Sequence, residues 1–185
     1  RDGTILFTPS QTDPIFRVPA AGGTATPVTS LDAKRGETSH RFPEILPDRD
    51  HFLFLVEAAE KPDDPASGFA IWVGSLASKE RTRLLATSSS ARYSKTGHLL
   101  FLRDRTLVAQ RFDARSMKLE GEAVPVAEGL ARTIRFETVF SLSDTGLLAF
   151  QSRSGEDASR LFLLDRNGRE LGTIAIELTA IAEED

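Results

Sequence analysis

Four times along the chain a short polar turn runs straight into an apolar strand: DGTILF from Asp2, PDRDHFLFL from Pro47, SKTGHLLFL from Ser94 and SDTGLLAF from Ser143. The anchor positions Gly3, Arg49, Gly97 and Gly146 recur about every 46 to 49 residues, a period that belongs to propeller repeats. Each unit then continues in the same order. A second strand is predicted over residues 15–18, 70–76, 106–112 and 161–165, and a turn over 21–24, 77–80, 114–120 and 166–169. A more polar strand follows over 26–29, 81–86, 123–127 and 170–174. The next unit opens with a strand ahead of its own turn, over 42–46, 91–93 and 139–142.

The polarity of these strands separates stacked blades from a half-exposed sheet. A sheet with one wet face alternates apolar and polar residues. Phe52-Leu53-Phe54-Leu55-Val56 and Leu161-Phe162-Leu163-Leu164 do not alternate, so both of their faces must be dry. Small sheets packed face to face around an axis supply that environment. Outer strands such as Arg81-Thr82-Arg83-Leu84 are wetter, as a rim should be. Turn signals about every ten residues argue against buried helix. Only residues 176–185 could form a short helix or a frayed tail.

Turn chemistry agrees. Asn167-Gly168 is a strong two-residue hairpin signal, and Gly97 and Gly146 suit a left-handed position. The second unit has Asp48-Arg49-Asp50 and no glycine. Its turn is expected to survive because Asp tolerates that conformation. The fold class read from these patterns is all-β: a β-propeller segment of about four blades, each a four-stranded antiparallel up-and-down sheet. The blades fall at about 1–30, 42–88, 91–129 and 139–176 within a single domain of 185 residues, the first lacking its innermost strand. That missing strand and the opening Arg1 read as an excerpt of a larger propeller from a longer chain.

Composition narrows the chemistry. No apolar run approaches the roughly 20 residues of a membrane helix. The net charge of −4 disfavours nucleic acid, which selects basic faces. Arg81, Arg83, Arg103, Arg105, Arg111 and Arg115 alternate with apolar residues and read as the solvated side of outer strands. The absence of cysteine excludes disulfides, thiolate metal sites and thiol nucleophiles.

The stretches GGTATPVTSLDAKRGETSHRFPEILPDRDHFLFLV and IWVGSLASKERTRLLATSSSARYSKTGHLLFLRDRTLVAQRFDARSMKLEGEAVPVAEGL, with the later VFSLSDTGLLAF and LFLLDRNGRELGTI, resemble TolB-type, WD-like propellers. They are most similar to the C-terminal region of bacterial receptor-like serine/threonine protein kinases, notably acidobacterial ones. The likeness runs to about Ile174. It implies a kinase domain and a membrane helix upstream, and an extracytoplasmic sensor here.

Catalytic motifs are missing. A kinase needs a glycine-rich phosphate loop, a strand lysine and catalytic and metal-binding Asp residues, and a serine hydrolase elbow needs G-x-S-x-G. Neither set is present. Gly22-Gly23 is a turn, and Ser88-Ser89-Ser90 is a link. His40, His51 and His98 do not pair at metal-ligand spacing. His51 and His98 hold equivalent repeat positions, which points to a structural role. Asp48-x-Asp50 resembles the start of a calcium loop but lacks its glycine and distal Glu. An enzyme propeller would gather carboxylates on its axis, where only Glu44, Arg92, Tyr93 and Ser141 are expected, so no metal or cofactor is assigned. Trp72 is read as packing between blades, with a surface anchor as the alternative.

Loop length gives the positional hint. The long connections, residues 30–41, 57–68, 129–137 and 152–159, are expected on one face, and rigid scaffolds carry function on such loops. Residues 57–68 hold Glu57, Glu60, Asp63 and Asp64 and read as a solvated tip. The segment 30–41 adds both charge signs, and its Lys34, Arg35, Glu37, His40 and Arg41 are the candidate contacts for a protein or small-ligand partner. Alanine at Arg35, Glu37 and His40 is therefore expected to leave folding intact. Three functions stay open: a non-catalytic sensor propeller attached to a receptor kinase, a TolB-like periplasmic scaffold, and the gating propeller of a prolyl-oligopeptidase-type peptidase or an enzyme propeller.

Overall fold

The computed structural model describes residues 3–60, 67–131, 140–154, 158–165 and 168–176. They form fifteen strands in four antiparallel sheets, and within each sheet the strands lie in chain order. The first sheet has three strands, β1 (Thr4–Phe7), β2 (Phe16–Pro19) and β3 (Thr26–Pro27). The second joins β4 (Glu37–Ile45), β5 (His51–Ala58), β6 (Ala70–Ser75) and β7 (Arg81–Ala86). The third joins β8 (Arg92–Ser94), β9 (His98–Arg103), β10 (Thr106–Asp113) and β11 (Lys118–Ala127). The fourth joins β12 (Phe140–Leu142), β13 (Leu148–Ser154), β14 (Ala158–Leu164) and β15 (Glu170–Ile176). The only helical element among the described residues is a 3-10 turn at Ala33–Arg35, and no helix among them is long and apolar enough to cross a membrane. The architecture is that of a β-propeller.

Successive residues of one strand serve different neighbours. Phe52, Phe54 and Val56 pack with Ile15, Leu6 and Val28 of the first blade. Leu53 and Leu55, the residues between them, pack with Leu99 and Phe101 of the third. Leu100 and Leu102 then meet Leu148, Phe150 and Leu164 of the fourth. A strand's period of two thus sends every second side chain to the blade before and the rest to the blade after. This is why these runs lack polar positions. Burying each such side chain stabilises the fold by about 1.5–3 kcal/mol.

Close packing also fixes a glycine. A Cβ on Gly74 would come within 2.7 Å of the Phe52 ring, so this position of β6 holds no larger residue without displacing the ring.

Several boundaries differ from expectation. β4 begins at Glu37, not at 42, which shortens the link from 30–41 to 30–36. β11 begins at Lys118 instead of 123, because its wet, polar start reads like a turn. β13 and β14 stay paired out to Ser154 and Ala158, which shortens the expected 152–159 loop. In the second unit's turn the left-handed residue is Arg49 (φ 63°), not an Asp. Asp48 supports it by accepting hydrogen bonds from the Asp50 and His51 amides. Gly97 and Gly146, the counterparts of Arg49, have φ of 81° and 86°. The expectations for residues 61–66, 132–139, 155–157, 166–167 and 177–185 fall outside the described residues.

Candidate functional site

Where the first and second blades meet, polar groups are buried together. The link between the blades makes its 3-10 turn with Asp32 as N-cap and Gly36 left-handed at its end, which delivers Glu37 into β4. One Glu37 oxygen, Oε2, accepts three hydrogen bonds: from the Asp32 amide at 2.8 Å, from Arg81 at 2.8 Å and from His40 Nε2 at 3.1 Å. Thr29 Oγ1 accepts from the Ile15 amide and lies 2.8 Å from His40 Nδ1. With the proton on Nε2, the imidazole donates to Glu37 and accepts a hydrogen bond from the Thr29 hydroxyl at Nδ1. The side chains of Glu37 and His40 are 1% and 0% exposed.

Burial alone would push the Glu37 carboxyl up. The hydrogen bonds from His40, Arg81 and the Asp32 amide, together with the Arg81 charge, outweigh it and hold the group at about 2, well below its ordinary value. Arg81 and Arg35 both approach the Trp72 ring, at 4.9 and 5.3 Å from its centroid. Trp72 is buried between blades, as the packing reading expected.

The expected partner loop is thus divided. Glu37 and His40 are interior groups of a blade-to-blade joint and present no surface to a partner; the polarity of residues 37–41 resembles that of a solvated loop. Arg41 is half-buried in β4 and pairs with Glu57. Lys34 and Arg35 stay exposed on the 3-10 turn, with Arg35 3.5 Å from Asp32. Arg81 belongs to the buried network and not to a solvated rim, because its guanidinium is needed by Glu37.

A second joint lies on the innermost strands. Phe42 takes φ 54°, and with Pro43 it forms a bulge between the Arg41 and Glu44 pairings of β4. Beyond it, Glu44 reaches the third blade: Oε1 accepts from the Tyr93 amide at 2.8 Å and Oε2 pairs with Arg92 at 3.1 Å. Burial pushes the Glu44 carboxyl up, and the Tyr93 and Arg92 contacts only partly offset it.

The turns of the second blade are tied in the same way. His51 Nδ1 lies 2.6 Å from Asp48, and Asp50 accepts from the Ser75 hydroxyl and the Ala77 amide. Burial pushes the Asp48 carboxyl up, and the hydrogen bonds from His51 and the Asp50 amide together outweigh it and hold the group below its ordinary value. No group of three or more metal-ligating side chains occurs among the described residues.

Two clefts open between neighbouring blades, the larger of them beside the tight turns. One of about 160 Å3 lies between Thr29 and the Ser75–Arg81 turn. The other, about 370 Å3, lies between the third and fourth blades and is lined by Leu100, Ala109, Val126, Leu142 and Leu148, with Ser94, Thr96, His98 and Asp165 at its polar positions. Loop length did not point to it. The signal that could have found it is a comparison of the four repeats position by position.

No family model and no curated protein matches the chain. Among solved structures it is similar to a luciferin-regenerating enzyme, with a TM-score of 0.61 and 11% sequence identity over 88% of this chain. The chain spans 56% of that structure's length. At this identity the likeness shows the β-propeller fold and nothing of the chemistry.

Proposed function

We propose that this β-propeller is a non-catalytic binding module, the extracytoplasmic sensor region of a bacterial membrane-anchored serine/threonine protein kinase. The observation that carries the non-catalytic part is where the chain spends its titratable groups. Glu37 and His40, held by Arg81 of their own blade, join the second blade to the first through the Asp32 amide and Thr29, and Glu44 and Arg92 join the second to the third. Asp48 and His51 brace a turn. Groups locked in such joints hold blades together and do not face a substrate. The kinase-linked part rests on the resemblance of the stretches quoted above. On the long-link face, the exposed Lys34 and Arg35 are the candidate contacts for a partner.

The contiguous coding sequence is the test. A kinase domain followed by a membrane helix upstream of Arg1 is expected. A hydrolase domain carrying G-x-S-x-G in its place would overturn the reading, as would phosphotransfer or hydrolysis by the purified chain.

A further inference from the structure

We infer that the cleft between the third and fourth blades is a binding site for a small, mostly apolar molecule with one hydrogen-bonding group. The repeat shows that this cleft is built into the sequence. Strand pairing places Ser94 at the position of Leu46, Ala109 at that of Val73, and Leu142 at that of Ile45 and Tyr93. Between the second and third blades the wedge is closed by Leu46, Val73, Tyr93 and Phe112, with Tyr93 and Phe112 ring to ring at 6.1 Å. Between the third and fourth blades three of these positions carry a smaller or non-aromatic residue, Ser94, Ala109 and Leu142.

The space left is about 370 Å3. That exceeds the roughly 150 Å3 apolar cavity that accepts a benzene ring, and it lies within the range of ligand sites. Apolar walls exclude water from the ligand's body, while the polar positions orient its head group. His98 supplies that contact. Its Nδ1 lies 3.1 Å from Thr96 Oγ1, and among the described residues its Nε2 is not otherwise bonded. An imidazole nitrogen of this kind selects a hydroxyl or similar group on the ligand. The inference rests on reading the chain as a binding module. The failures are separable, since an empty cleft is seen by titration and catalysis by activity assay.

The probe is 2-naphthol, two fused rings with a single hydroxyl, titrated into the whole chain and followed by methyl NMR. Shifts confined to Leu100, Val126, Leu142 and Leu148 are expected. The variant Ser94→Leu with Leu142→Tyr restores the residues that close the neighbouring wedge. It should stay folded and bind at least about tenfold more weakly, the packing gained in the filled cleft offsetting the lost Ser94–Thr96 hydrogen bonds. Should that variant fail to fold, Ala109→Val tests the same volume. His98→Ala should weaken 2-naphthol by about fivefold, the worth of one hydrogen bond, and leave 2-methylnaphthalene unchanged. No saturable shifts up to the solubility limit, shifts centred on Ile5 and Phe7, or undiminished binding by the filled variants would each overturn the inference.

Discussion

His40 Nε2 lies 3.1 Å from Glu37 Oε2 with both side chains shut away from solvent, three residues apart on one strand. The pair locks the link from the first blade onto the second, and Arg81 closes it from the far edge of the same sheet.

Glu37→Gln is expected to destabilise the fold at neutral pH by on the order of 3 kcal/mol, the depression of its carboxyl from 4.5 to about 2 expressed as linkage. A depressed carboxyl stabilises above its unfolded value and loses that contribution as pH falls. The difference between wild type and variant should therefore be full above about pH 5 and vanish toward pH 2. Urea unfolding at a series of pH values reads it; a difference independent of pH would show that the carboxylate charge is not what counts.

Glu44 has the opposite sign. Its carboxyl is raised by burial, so its ionised form opposes folding above the folded value, and the opposition fades as pH falls. Glu44→Gln keeps an acceptor for the Tyr93 amide and should raise stability at pH 7, with no gain in acid. A loss at pH 7 would mean that the Arg92 pair outweighs the burial penalty.

Arg49→Gly removes a left-handed non-glycine residue, a conformation that costs about 1–2 kcal/mol, and gives back about 0.5–1 kcal/mol as unfolded-chain entropy. A rise in Tm of about 1–4 °C is expected. A fall would show that the Arg49 side chain contributes to the turn.

Alanine at Arg35, Glu37 and His40 together should unfold the domain or lower its Tm by about 10 °C or more, since breaking a buried pair costs about 3–5 kcal/mol. This reverses the expectation drawn from the sequence. Alanine at Lys34 and Arg35 alone should leave Tm within about 2 °C, as exposed charges do. Thermal melts of the two variants side by side separate joint from surface.

The blades were legible because a strand that is greasy on both sides leaves a continuous apolar run, as at Phe52–Val56, and because the anchor turn repeats. The joints were not. Glu37-Thr38-Ser39-His40-Arg41 has the polarity of a solvated loop, and nothing local shows that Arg81, 44 positions away, completes the pair. The 370 Å3 cleft was hidden for another reason. It is made by small residues at repeat-equivalent positions, Ser94 and Ala109 among them, and looking for chemistry-bearing residues passes over such positions.

Neighbouring side chains of one strand serve different blades, and a methyl and aromatic NOE map of β5 reads this out. Phe52 and Phe54 should contact Ile15, while Leu53 and Leu55 contact Leu99 and Phe101. Cross-strand Hα contacts joining β5 directly to β9, which would merge the second and third blades into one sheet, would contradict it.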